Sequence, residues 1–479
     1  MGRSRRDSAI PTTSRTFRAT ASGVITRCAG SWYQRRKYAS SYTLGAVMRG
    51  NLYSTAMPHS PDVIIVGGGL AGLAAARTLT AHGVSVLVLE REAMVGGRVA
   101  TDLVDGFRID RGFQVLLDSY PEAQLALDLA SLDLRAFGSG ALVRRGRGFG
   151  RVGDPWRDPF AALATLRSGA FSPLDAWRML RLRGRALRAV DGAGIGTDGT
   201  PTMDRLRADG FSDAAIDRFF RPFFGGVFLD RALTSPADWF TFLFGMFATG
   251  SATLPAQGMG ALPAQLAAGL PAEAVRCSTS VARLTDTGVT LADGEPIAAK
   301  AVVVATDAGT YATLLGRADG AVAWSGCATL SFDVPEAPID VPLIALAGPQ
   351  ERGPIHHCCV PSLVAPTYAP AGRHLVSATV IGPVTPDDAS LERAARTQLG
   401  EWFGATTVAG WRLLRVSRVP YSLVRAVRDE ATAAALVRVA PGRYAAGDHL
   451  ETPSINGALR NGRRAAEALL DDWGVTRRS

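Results

Sequence analysis

Gly67, Gly69, Gly72 and Glu90 have the residue types and spacing to hold a dinucleotide. The first glycine permits a tight turn, the second lets the backbone approach a pyrophosphate, and the third lets a helix pack closely on a strand. Leu70 and Ala71 would then stand at a helix N-terminus, whose free N–H groups and positive dipole end favour phosphate. Glu90 would accept hydrogen bonds from ribose hydroxyls, with Arg91 beside it. These roles need a strand, a turn, a helix and a second strand. The apolar run Val63 to Val66 supplies the first strand, Leu70 to Leu79 has helical spacing, and Val84 to Leu89 reads as the second strand. A second Gly-x-Gly-x-x-Gly, Gly194-Ile-Gly196-Thr-Asp-Gly199, follows an Arg-rich helical stretch and runs into Thr200-Pro201, so it reads as a loop.

Glu90 alone suits NAD as well as FAD, and the later marks separate the two. Gly96-Gly97-Arg98 begins six residues after Glu90, and Asp110-Arg-Gly112 follows in a short hairpin. Leu254 to Gly260 holds a Gly-Met-Gly turn, Ser280-Val281 precedes the strand Ala301 to Ala305, and Tyr444-Ala-Ala-Gly447-Asp448 leads to Pro453-Ser454-Ile455-Asn-Gly457-Ala458. In this order the marks resemble the flavin-containing amine oxidases, phytoene desaturases and protoporphyrinogen oxidases, over residues 62–472. The resemblance implies FAD. It places adenine at Val281, the ribityl chain at Asp448 after Gly447, and the flavin before a helix opening at Ser454, Ile455 and Ala458. That helix N-terminus suits an anionic reduced flavin. It further implies an α/β fold, in which a Rossmann-like FAD-binding domain with helices on both sides of a parallel sheet is interleaved with an α+β substrate-binding domain. The expected FAD-binding segments are 61–110, 252–312 and 436–475, and the substrate-binding segments 111–251 and 313–435.

With 479 residues, 47% apolar and 20% charged, the chain has the composition of an ordinary globular enzyme. Its net charge of +9 is confined to residues 1–60, which hold ten basic residues and the single acid Asp7, so the body is neutral and no nucleic-acid partner is expected. We expect residues 1–60 to be a disordered extension, with Met57 as the start or residues 1–56 as an organellar transit peptide. The five cysteines have no metal-finger spacing, and His356-His357-Cys358-Cys359 reads as a strand with alternating faces rather than a metal site.

Ten of the 19 Phe fall in residues 211–247. Of these, Phe223, Phe224, Phe228 and Phe240 are candidates for a substrate wall, and an ordinary helix core is the alternative. No run is long enough to span a bilayer. The basic, partly amphipathic Ala176 to Arg188 would suit a helix on a membrane surface, and equally a solvated face. Residues 325–435, including the Pro-rich run Val360 to Pro370, read as the sheet of the substrate domain.

The expected enzyme is an FAD-dependent oxidoreductase taking hydride from an apolar substrate, isoprenoid-like or tetrapyrrole, with oxygen or a quinone as acceptor. Amine oxidation is the alternative; the lysine that branch places about a dozen residues past the strand ending at Ala305 is missing, and Lys300 at the strand's start reads as a surface residue. A non-redox flavin isomerase and a prenyl-binding escort module are further alternatives. No residue is assigned as catalytic. Glu92 departs from the relatives' basic residue two beyond the ribose acid. The expected setting is cytoplasmic, with peripheral membrane contact, or organellar if residues 1–56 are a transit peptide.

Overall fold

The computed structural model describes residues 60–158, 165, 169–191, 199–316 and 323–475. The N-terminal extension and the glycines Gly194 and Gly196 lie outside them. Val63–Val66 is central in a six-stranded sheet, parallel to Val86–Leu89 on one side and to Ala301–Val304 on the other. Val275–Arg276 extends the first side, Arg443–Ala445 the second, and Arg438–Ala440 closes that edge antiparallel.

An unbroken apolar run is what a strand covered on both faces requires. Val63, Ile65, Val88 and Val303 pack under the helices Leu70–Ala81 and Ile455–Asp472. Ile64, Val66, Leu87 and Val304 face the other way, onto Val289 and Leu291 of a three-stranded antiparallel sheet and Tyr311 of the helix Ala308–Leu314. The two helices on the first face meet at backbone distance: a Cβ on Gly462 would stand 2.1 Å from the Ala71 carbonyl oxygen.

The second large sheet has seven strands, in the order Arg412–Val424, Trp324–Val334, His374–Ile381, His357–Cys359, Ile344–Leu346, Gly140–Arg145 and Gly148–Gly153. The strand Trp324–Val334 alternates with period two. Ala328, Leu330, Phe332 and Val334 join Leu391, Ala395, Leu399 and Trp402 of the helix Asp388–Phe403 in a separate core. Its other face turns Cys327, Thr329, Ser331 and Asp333 away from that helix.

His357–Cys359 is buried strand, as the sequence suggests, and His356 before it is buried as well. The Pro-rich run is a correction: Pro361–Val364 and Pro366–Tyr368 are two short helical turns, each opened by a proline whose missing N–H and fixed φ suit a first helical position. The aromatic segment folds as the helices Arg221–Phe228 and Ala237–Thr249, joined through Leu229 at φ +50°.

Candidate functional site

One cavity of about 990 Å³ runs from the glycine turn to the aromatic helices. At its first end the strand Val63–Val66 stops at Gly67, where φ is +109° and a Cβ would stand 2.6 Å from the Ala305 carbonyl oxygen. Gly72 is jammed likewise, its absent Cβ only 2.0 Å from the Gly67 oxygen. Gly69 differs, because nothing lies within 4 Å of where its Cβ would be and no side chain caps the helix it opens. Space for a ligand is therefore kept at the uncapped N-terminus of this helix.

Glu90 is 7% exposed at the end of its strand, and its two oxygens accept from the backbone N–H groups of Gly68 (2.6 Å) and Glu92 (2.8 Å). Gly96 bridges to Gly69 and donates to the Gly68 carbonyl, closing the far side of the turn. Arg98 then reaches across the cavity. Its guanidinium holds Asp448 through both oxygens and donates to the Ser422 carbonyl at 2.9 Å, with the Trp324 ring 5.6 Å away. Burial opposes this positive charge, but Asp448 more than offsets it and holds the Arg98 pKa above its ordinary value. Ser454 caps the C-terminal helix by accepting from Gly457 N–H.

The cavity wall includes Gly67, Gly69, Leu70, Ala71, Glu90, Arg91, Gly96, Gly97, Arg98, Val281, Gly447, Asp448, Ser454, Ile455 and Ala458. Gly72 lies outside the wall, in the helix–strand packing. The Gly258-Met259-Gly260 turn also lies outside it: Met259 is fully buried, and its N–H donates to Asp110, which further accepts from Thr101 and Tyr368. Glu92 is at the wall, half exposed, 3.4 Å from Arg91.

At the second end Phe223, Phe224 and Phe228 line the cavity with Phe219, Phe244 and Phe247, whereas Phe240 does not. Phe240 is fully buried behind the wall, its ring 4.7 Å from that of Phe224. The aromatic segment is thus both pocket and core, divided by helix face. Lys300 is 74% exposed and paired with Asp62, outside the cavity.

Sequence reasoning missed Phe113, Asp307, His357 and Arg425, all on the wall. Asp307 stands three residues past the strand Ala301–Val304 and caps the following helix, a signal the sequence does carry. The others come from strand interiors and loops without a motif. Among the described residues no group of three or more His, Cys, Asp or Glu is arranged to hold a metal.

The comparisons agree with this fold. A candidate protoporphyrinogen oxidase from Exiguobacterium sp. 255-15 superposes with a TM-score of 0.66 at 19% identity, covering 86% of this chain and 99% of the other. Putrescine oxidase does so with a TM-score of 0.62 at 16% identity, covering 86% and 99%. The carotenoid phi-ring synthase of Streptomyces griseus is 31% identical over 218 residues, 40% of each chain. The chain spans less than half the length of such curated relatives. The model of the flavin-containing amine oxidoreductases matches residues 70–470. With FAD as its cofactor, the chain belongs to this family of oxidoreductases.

Proposed function

We propose that this protein oxidises an apolar substrate, of isoprenoid or tetrapyrrole type, by hydride transfer to FAD. The observation that carries the reading is the aromatic wall of Phe219, Phe223, Phe224, Phe228, Phe244 and Phe247, continuous in one cavity with the glycine turn and Glu90. Gly69, Leu70 and Ala71 would hold the pyrophosphate, Glu90 and Arg91 the ribose, and Val281 the adenine. Gly96, Gly97, Arg98, Gly447, Asp448, Ser454, Ile455 and Ala458 would hold the flavin half. Bound flavin supplies hydride acceptance at N5. The chain's part is to orient the substrate, exclude water with the Phe wall, offset negative charge through the uncapped helix, and fix the Asp448 carboxylate through Arg98. Oxygen or a quinone takes the electrons onward.

The helix Pro173–Asp191 gives Ala176, Met179 and Arg183 to the cavity wall and turns Leu174, Trp177 and Leu180 outward, each more than half exposed. Arg181 lies against Trp177 on the same face. An apolar stripe flanked by arginine fits an anionic lipid surface from which an apolar substrate would enter. No helix among the described residues is long and apolar enough to cross a membrane.

Amine oxidation is the second reading, favoured by the likeness to putrescine oxidase. Anaerobic titration of the flavin-loaded protein with a carotenoid precursor, a porphyrinogen and several amines separates the two. Bleaching of the flavin bands by an apolar compound alone supports the proposal, and bleaching by an amine alone overturns it.

A further inference from the structure

Six arginines line the cavity, and five of them have a carboxylate within 4.0 Å. Arg91 pairs with Glu92, Arg98 with Asp448 and Arg111 with Asp102, while Arg157 and Arg183 share Asp154. Arg425 is the exception, with no such ion pair among the described residues. Its Nε donates to the Ser325 hydroxyl at 3.1 Å, and its two terminal nitrogens have no hydrogen-bond partner among the described residues. Ser325 is 2% exposed and also on the wall, so a buried hydroxyl holds the guanidinium against the cavity. Arg425 itself is exposed, so it stands where the cavity meets solvent and its free edge is open to a ligand.

The position lies between the two halves of the cavity. Three residues before Arg425, the Ser422 carbonyl accepts from Arg98 on the flavin side. On the other side the field of Arg425 reaches Asp230, two residues past Phe228 of the aromatic wall. Asp230 does not pair with it, because its oxygens are taken by its own turn. They accept from Ala232 N–H (3.0 Å) and from the N–H (2.7 Å) and hydroxyl (2.6 Å) of Thr234.

We propose that Arg425, oriented by Ser325, recognises a carboxylate on the substrate, and that the substrate is an apolar body carrying that group. This rests on the reading that the cavity takes an apolar substrate. With Nε engaged, a guanidinium still presents two parallel N–H groups at its far end, which match the two oxygens of a carboxylate. One cation answers one negative charge, and Asp230 nearby opposes any excess, so a monoanion fits better than a diphosphate. An ammonium would meet a charge of its own sign. A neutral hydrocarbon would leave the guanidinium to water.

The test uses the flavin-loaded full chain and four compounds on one farnesyl skeleton: farnesoate, methyl farnesoate, farnesyl diphosphate and farnesylamine. Dissociation constants are read from the perturbation of flavin absorption. Farnesoate is expected to bind about 10-fold more tightly than its methyl ester, the lower end for a charge-assisted bond because the site is open to solvent. Added salt should shrink that preference. Arg425→Gln should bring the two within about 2-fold while leaving the affinities for the ester and for FAD where they were. Arg425→Lys, which keeps the charge and loses the paired N–H groups, should retain about a 3-fold preference. Ser325→Ala should lower the preference by about 2- to 3-fold, since the guanidinium is then free to swing away. Equal binding of farnesoate and its ester to the unaltered protein would overturn the anchor and leave the apolar reading standing. So would a preference that survives Arg425→Gln, tighter binding of the diphosphate than of farnesoate, or a loss of FAD affinity in Arg425→Gln. Tightest binding of farnesylamine, or no binding of any of the four, would sink both.

Discussion

Gly69 and Gly72 are three residues apart on the same turn, yet alanine should act oppositely at the two. At Gly72 the new methyl would lie 2.0 Å from a backbone oxygen, which has no side-chain freedom to withdraw. Overpacking of that kind costs about 3 kcal/mol, of which the higher helix propensity of alanine, itself mostly the stiffer unfolded chain, returns about 1 kcal/mol. The net is a loss of about 2 kcal/mol in the protein without flavin. At Gly69 φ is −75° and no atom lies within 4 Å of the methyl. The stiffer unfolded chain contributes about 0.4–1 kcal/mol, and alanine at an N-cap costs a similar amount, so stability should change by less than about 0.5 kcal/mol. The methyl would instead occupy space proposed for the pyrophosphate, weakening FAD by roughly 5- to 150-fold, the equivalent of about 1–3 kcal/mol. Urea unfolding of chains expressed under riboflavin limitation gives the first quantity, and FAD titration followed by flavin fluorescence gives the second. Gly69→Ala protein that loses as much stability as Gly72→Ala, or that binds FAD as tightly as the unaltered chain, would refute the division of roles.

Burial pushes the Asp110 carboxyl up to about 6, against the hydrogen bonds from Thr101, Tyr368 and Met259 N–H. A raised carboxyl holds its proton longer in the folded chain, so its stabilisation is complete below about pH 4 and is lost as pH rises through about 6, by about 2–3 kcal/mol. Asp110→Asn should flatten the unfolding free energy over that window, and an unchanged pH slope would count against the assignment. Phe240→Ala, behind the wall, should cost about 3–5 kcal/mol of stability, whereas Phe223→Ala, on it, should cost far less and mainly lower kcat/KM; calorimetry and steady-state rates together check the pair. Trp177→Glu with Leu180→Glu should abolish co-sedimentation with phosphatidylglycerol vesicles while leaving flavin content intact, and undiminished co-sedimentation would remove the lipid-facing role of that helix.

The glycine turn and the acid that follows it were legible in the sequence because each requirement there is local. A positive φ demands glycine at Gly67, a close approach demands it at Gly72, and an acid must end the second strand, so residue type and spacing record the geometry. The substrate half records little. Whether a phenylalanine faces a cavity or the core depends on which side of its helix meets the sheet, so Phe223 and Phe240 look alike in sequence and end on different sides of the wall. His357 carries no motif because it is one residue of a three-residue strand, and its neighbour Thr379 is 22 positions away. The Pro-rich run reads as extended chain because proline excludes regular helix interiors, but single turns that begin with proline escape that rule.

Arg98 and Asp448 meet although 350 positions separate them, and the C-terminal helix lies against the first one at Gly462 and Ala71. The cavity wall they share is therefore complete only when both ends of the chain are in place. Contacts so distant in sequence form late and slowly. A dinucleotide held by both ends of the chain would tie together its first and last helices, so binding it would resist unfolding from either terminus.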